Sequence, residues 1–226
     1  LLAPSFNQVS KEPLHDLSRI FPYPQTAQST RPIDAFDEGV TYPRIYDYAV
    51  NPSWHQLTFY NYNTDTINAT NTTIGVWLSK SLNEGGLGLD ATKQYYVYDF
   101  WNDKFIGLIN GKDKLEQHVR PGEARMMSVH AKEDHPQFIS TNRHVMQGYL
   151  DMKAIKWTNN NKTLEAVSDV VEGDVYKVII ATNGYKVSGC NVSSGACTLK
   201  SLNDNLVELN INVDKNATVK WKVKFK

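Results

Sequence analysis

The chain has 226 residues, 41% of them hydrophobic and 11% aromatic, enough to bury one large core or two smaller ones. Lys+Arg and Asp+Glu both number 24, so no net field attracts polyanions and nucleic-acid binding is set aside. No apolar run approaches the roughly 18 residues of a membrane span.

The chain opens on Leu1-Leu2-Ala3-Pro4, without an initiator methionine and too short for the hydrophobic region of a signal peptide. It reads as a processed chain or a piece of a longer one. One short helix is expected next, with Ser10 as its cap, Pro13 in its first turn, and Leu14, Leu17 and Phe21 recurring at three- and four-residue steps. That stripe needs a partner: either the helix lies on the chain's own sheets, or it belongs against a domain outside them. Residues 22–44, with Pro22, Pro24, Pro32 and Pro43, read as an extended polar strap without regular structure.

Strands are expected near 54–62, 72–80, 94–101, 104–109, 114–119 and 124–131, separated by Asn, Gly and Asp clusters. A second set falls near 147–157, 162–169, 174–181, 184–190, 196–201, 206–213 and 218–225. No helical pattern of ten residues or more intervenes, which argues for antiparallel sandwiches over a parallel βαβ sheet. The alternation is cleanest at the end. Val207, Leu209, Ile211 and Val213 alternate with polar residues, then Val219, Trp221, Val223 and Phe225 alternate with lysines, which predicts a hairpin with one face in the core. The expected fold class is all-β: two antiparallel β-sandwich domains in tandem, with a short N-terminal helix and an extended connector. The boundaries are 1–44 for helix and connector, 45–134 for the first sandwich, and 135–226 for a second, immunoglobulin-like one.

Cys190 and Cys197 flank a turn-rich spacer and are expected to form a disulfide in an oxidising compartment; the alternative is two free, half-buried thiols. Five Asn-x-Ser/Thr sequons begin at Asn68, Asn71, Asn161, Asn191 and Asn216, adding a little to an expectation of a secreted, extracellular or periplasmic location.

The segment 87–148 resembles a known family. Leu87-Gly88-Leu89-Asp90 before Tyr96-Val97-Tyr98-Asp99-Phe100-Trp101, then Pro121-Gly122 before an apolar strand, resemble the β-sandwich that follows the catalytic barrel of α-galactosidase-like glycoside hydrolases of the melibiase type. His135-Pro136-Gln137-Phe138-Ile139-Ser140-Thr141-Asn142-Arg143-His144, closing with Gln147-Gly148, resembles the junction after that sandwich in members with a second β-domain. The likeness spans about residues 10–226 and covers only the C-terminal portion of such enzymes. It implies a catalytic barrel as partner, and the helix at residues 10–21 would then be the last helix of that barrel.

No catalytic residue is carried over. A retaining glycosidase holds two carboxylates about 5–5.5 Å apart at the ends of parallel strands, and a barrel needs about 250 residues of its own. Asp99 and Asp103 flank Trp101, but at a strand end they are expected to cap a turn or face solvent. His130, His135 and His144 fall close together around Glu133 and Asp134, yet match no zinc spacing, so no metal and no cofactor are expected. His135, Arg143 and His144 are instead expected to fix the two β-domains against each other or against a further domain. Ser140 with His144 lacks a nucleophile elbow, and Gly85-Gly86-Leu87-Gly88 lacks the spacing of a phosphate loop. Tyr42, Tyr46, Tyr48 and Trp54 form a candidate carbohydrate-stacking platform, on which sugar rings would lie; the alternative is that they cover the connector. Two functional expectations follow: a non-catalytic region that stabilises or orients a barrel, or a free-standing carbohydrate-binding or adhesive module.

Overall fold

A computed structural model describes residues 10–26, 28–63, 72–203 and 205–226. The sequons at Asn68 and Asn71 and the opening Leu1-Leu2-Ala3-Pro4 lie outside the described residues. The fold is all-β apart from the helix α1 (Lys11–Ile20) and two short 3-10 turns.

The first sandwich contains β1 (Arg31–Pro32), β2 (Ile45–Asn51), β3 (Trp54–Tyr60), β4 (Thr72–Trp77), β5 (Gln94–Asp99), β6 (Lys104–Asn110), β7 (Lys114–Val119) and β8 (Ala124–Ala131). A six-stranded antiparallel sheet, ordered β1-β2-β3-β8-β5-β6, faces the two-stranded sheet β4-β7. Leu57, Phe59, Val97, Met127 and Val129 from the large sheet meet Ile74, Val76, Leu115 and Val119 from the small one, all buried.

The second sandwich contains β9 (Gln137–Thr141), β10 (Met152–Thr158), β11 (Thr163–Val170), β12 (Tyr176–Ala181), β13 (Val187–Val192), β14 (Ala196–Asn203), β15 (Leu206–Asn212) and β16 (Ala217–Phe225). Its two four-stranded sheets run β10-β11-β16-β13 and β14-β15-β12-β9. Trp221 is wholly buried between them and donates its indole N–H to Ser168 Oγ at 2.9 Å. Cys190 of β13 and Cys197 of β14 are bonded, joining the edges of the two sheets.

The expected terminal hairpin is replaced by an arch. β15 pairs with β12 and β14, whereas β16 pairs with β11 and β13, so the two strands sit in opposite sheets. Asp214-Lys215-Asn216 therefore crosses the sandwich. Both apolar rows enter the same core from opposite sides, a solution that satisfies the alternation as well as a hairpin does. The lysine row faces β11 instead of β15, with Lys222 Nζ 2.9 Å from a Glu165 carboxylate oxygen.

The sandwiches share a further core. Tyr96 and Tyr98 on the outer face of β5 pack with Ile139, Ile179, Ala181 and Leu206 of the second sandwich. The layers thus stack as small sheet, large sheet, β9-containing sheet and β10-containing sheet. Every residue of β5 after Gln94 is buried, because both its faces are covered. This explains its near-continuous aromatic run, since a strand covered on both faces has no reason to alternate.

The strap of residues 22–44 is pinned by buried carboxylates. Asp34 Oδ1 accepts the backbone N–H groups of Arg44 (2.8 Å) and Ile45 (3.0 Å). Asp47, fully buried on β2, is paired by His55 Nδ1 at 2.9 Å and by Arg31 of β1. β1 is the one two-residue strand in a segment expected to have none. Helix α1 starts at Ser10, but that side chain makes no capping hydrogen bond. Its last turn reaches both sandwiches: Arg19 donates to the Asn142 carbonyl at 3.1 Å and lies over the Phe100 ring, 4.3 Å from its centroid.

Candidate functional site

Where the two sandwiches meet, a cleft of roughly 570 Å³ opens between the start of β3, the end of β8 and the edge strand β10. Its size lies in the range of about 300–1,000 Å³ usual for small-molecule sites. Trp54 and His130 are neighbours on paired strands, because β3 and β8 are antiparallel and Trp54 faces His130 directly. Their rings stack with centroids 4.9 Å apart. Trp54 further meets Phe138 and Tyr149 edge-on, so a first-sandwich side chain completes the core of the second.

The opposite wall is built by β10. Trp157 stacks on His135 with rings nearly parallel (5°) and centroids 5.4 Å apart, and is held from behind by Tyr185 and Phe225. Glu133 lies 3.1 Å from His135 Nε2 and half-exposed at the rim, with Lys156 exposed nearby. Gln137 is already satisfied: it accepts from Glu133 N and donates to the Ala131 carbonyl.

Two polar atoms of the cleft residues are unsatisfied. Trp54 Nε1 and His130 Nε2 are buried and have no hydrogen-bond partner. Burial lowers the His130 pKa to about 3, so the ring is neutral at physiological pH. The Ile139 backbone opposes that shift without reversing it. Both atoms are sealed from solvent beside the aromatic walls of the cleft.

The expected site residues are dispersed. Tyr42 is exposed, Tyr46 half-buried, and Tyr48 and Trp54 buried, so the four do not make one platform. Tyr48 turns inward because the second sandwich covers that face of β2, where its hydroxyl lies 3.3 Å from that of Tyr149. Tyr42 and Tyr46 instead join Tyr60 and Tyr62 at the surface: Tyr46 and Tyr62 hydroxyls are 2.9 Å apart and Tyr60 meets Tyr62 edge-on.

His135, in the link between β8 and β9, stacks on Trp157 of the second sandwich, and Arg143 pairs at 3.4 Å with Asp174, a residue of its own sandwich. His144 is buried behind the end of α1 and accepts the Met146 N–H at 3.0 Å; burial lowers its pKa. Asp99 caps the turn after β5, accepting from Asn102 Nδ2 at 2.8 Å. Asp103 bridges the sandwiches, accepting from Tyr98 (2.8 Å) and Lys177 (2.9 Å). Asp151 is buried with Tyr176 and Thr141 hydroxyls on one oxygen, and burial raises its pKa. Among the described residues no group of three or more His, Cys, Asp or Glu side chains gathers as metal ligands.

His130 and Trp157 were the residues sequence reasoning missed as site formers. No spacing in the sequence connects the two. No family model matches the chain, and no curated protein matches it. Function has to be argued from the geometry.

Proposed function

We propose that this chain is a non-catalytic β-sandwich region of an α-galactosidase-like glycoside hydrolase, and that it packs through α1 against the catalytic barrel, stabilising or orienting it. The observation that carries this reading is α1 itself. It has ten residues, below the roughly 12–15 at which isolated helices become more than marginal in water, and none of them is buried. Leu17 and Phe21 of its stripe are exposed, and Tyr23 beyond them more so. The stripe borders an apolar groove of roughly 570 Å³ lined by Ile20, Tyr23, Tyr48, Trp101, Met126 and Met146. Contiguous apolar surface of this kind marks an interaction face. The family resemblance supplies the occupant, a barrel whose outer helices would cover the stripe.

The test is co-expression with an α-galactosidase-type barrel stripped of its own sandwich. A one-to-one complex and slower thermal inactivation of the barrel are expected, both lost in Leu17→Glu/Phe21→Glu while the chain's own unfolding midpoint stays put. No complex, or a complex indifferent to that double variant, refutes the packing.

A free-standing carbohydrate-binding or adhesive module is the second reading, favoured by the exposed cluster of Tyr42, Tyr46, Tyr60 and Tyr62. Either reading is placed outside the cytoplasm, supported by the Cys190–Cys197 bond and by exposed sequon residues Asn161, Asn191 and Asn216. Among the described residues no helix is long and apolar enough to cross a membrane.

A further inference from the structure

The sheet β10-β11-β16-β13 is an outermost layer of the stack, and its outer face is wet. β16 turns Lys220, Lys222, Lys224 and Lys226 to that face, all exposed, while Val219, Trp221, Val223 and Phe225 fill the core. β10 adds the exposed Lys153 and Lys156, opposite Val167 and Glu165 of β11. Lys186 closes one end of the row, its backbone bonded to that of Lys226. The equal totals of basic and acidic residues in the chain therefore conceal a local imbalance.

Spacing makes these lysines one field. Positions two apart on a strand are separated by about 6.6 Å, so the β16 row runs about 20 Å. Neighbours in the row lie closer than the roughly 8 Å over which physiological salt screens a charge. The four strands bring only Glu165 and Asp169 as carboxylates to this face. Glu165 takes Lys222 at 2.9 Å and Asp169 takes Lys153 at 3.5 Å. Among the described residues Lys156, Lys220 and Lys224 have no carboxylate within 4.0 Å. On the β13 side the row meets Asn191, opposite Lys222, and Gly189, opposite Lys224, neither of them charged.

Lysines on a wet strand ordinarily serve solubility, and on an edge strand they block unwanted pairing. Neither use accounts for this row. β16 is a central strand, bonded to β11 on one side and β13 on the other, so it has no free edge to protect. Solubility is served by mixed signs, whereas like charges at adjacent positions repel one another.

The shape and chemistry of the face select among polyanions. A depression of roughly 210 Å³ beside Lys220 and Lys222 is smaller than the 300 Å³ or so of small-molecule sites, which favours a chain lying across the sheet over a compact ligand in a hole. A membrane-surface site pairs its basic residues with large apolar ones that enter the lipid; of the exposed large hydrophobics only Ile155 belongs to these four strands. Nucleic-acid sites rely on arginine forks and stacked aromatics, and residues 150–226 contain no arginine. The Cys190–Cys197 bond, anchored on β13 of this same sheet, is compatible with a compartment outside the cytoplasm. Lysine is a point charge on a flexible stem, suited to anionic groups that recur along a polymer without one fixed geometry.

We propose that the outer face of the β10-β11-β16-β13 sheet, centred on Lys156, Lys220 and Lys224, binds a linear acidic polysaccharide laid along β16 and held through its carboxylate or sulfate groups. The face uses neither α1 nor the groove beside it, so this binding goes beyond the packing role.

The experiment titrates the whole chain, nitrogen-15 labelled, with heparin and with polygalacturonate, one sulfated and one carboxylated, and with dextran as the neutral polymer. A short DNA duplex and phosphatidylserine-containing vesicles complete the set. Saturable binding of at least one acidic polysaccharide, weakening as salt rises, is the expected result, with the backbone amide signals of β16 and β13 moving and those of β4 and β7 still. Dextran should give no response. Lys156→Gln/Lys220→Gln/Lys224→Gln, three changes at exposed positions that leave the core intact, should weaken binding by about 10-fold or more. Lys93→Gln/Lys104→Gln/Lys112→Gln removes the same charge from exposed positions of the first sandwich and should leave binding unchanged.

The proposal falls if neither acidic polysaccharide binds, or if the two triple variants weaken binding equally, which would make it a matter of net charge alone. It also falls if DNA or the vesicles bind more tightly than both polysaccharides, which would assign the face to a nucleic acid or to a lipid surface. None of these outcomes bears on whether α1 packs against a barrel.

Discussion

Truncating Trp221 to alanine is the sharpest test of the second sandwich. The side chain is wholly buried in the middle of β16, a central strand flanked by β11 and β13, and its N–H is spent on Ser168. Burying large aromatics and then deleting them costs about 3–5 kcal/mol, with the spread set by how far the site collapses. β16 is held by β11 and β13 on either side, so little collapse is available and the upper half of that range applies. Loss of the indole donor leaves Ser168 with one partner fewer, so Trp221→Phe should cost less than Trp221→Ala but more than zero. Against a net stability of about 5–15 kcal/mol, the alanine variant loses a third or more of the total. Lys222, the next residue, points to water and pairs with Glu165; exposed pairs contribute about 0–1 kcal/mol, and Lys222→Ala should cost under about 0.5. Urea unfolding of the three variants measures this, with the midpoint moving and the slope unchanged. Equal losses at positions 221 and 222 would refute the assignment of inward and outward faces.

Acid should loosen the junction through His130. Its folded pKa is depressed to about 3, below the ordinary 6.5, so the unfolded chain binds the proton first and stability falls as pH drops from about 6.5 towards 3. A pH series of urea midpoints on wild type and His130→Gln isolates this contribution, and a parallel slope in both would refute it. Gly148→Ala should destabilise by about 1–3 kcal/mol or more, because the glycine holds φ +100 and a Cβ there would sit 2.4 Å from the Phe138 ring. An unchanged melting temperature for that variant would show that Phe138 moves aside freely.

What the sequence reveals here is set by how many faces of a strand meet water. β16 has one buried and one wet face, and its Val-x-Trp-x-Val-x-Phe row reads directly as inward positions. β15 alternates equally well, yet its partners could not be read, since alternation reports which face is buried and says nothing of which sheet the strand joins. β2 is illegible in the sequence because its inward row contains Asp47, a carboxylate that is tolerable only with His55 and Arg31 on it, partners contributed by other strands. β9 is five residues long and buried throughout, so Gln137-Phe138-Ile139-Ser140-Thr141 carries no period at all. The cleft was the least legible feature. Its residues come from 51–54, 130–138 and 155–164, and only the packing of two sheet edges brings them together.

That packing also determines whether the cleft can serve as a site. A pocket shared by two domains binds weakly if they must first be brought into register, because ordering them is charged against the ligand. Here the register is fixed beforehand by buried polar contacts. Ser128 of β8 donates to the Ile139 carbonyl of β9 at 2.8 Å, and Gln147 donates to Gln56 of β3 at 3.1 Å while accepting from Ser140 at 2.8 Å. Tyr96 reaches across to Asn183 at 2.7 Å, and Asn183 in turn donates to the His135 carbonyl. Each bond is modest alone, but an unsatisfied member would be costly in so dry a layer, so the network admits one relative placement of the sandwiches. The same contacts that join the domains therefore hold Trp54 and His130 opposite Trp157.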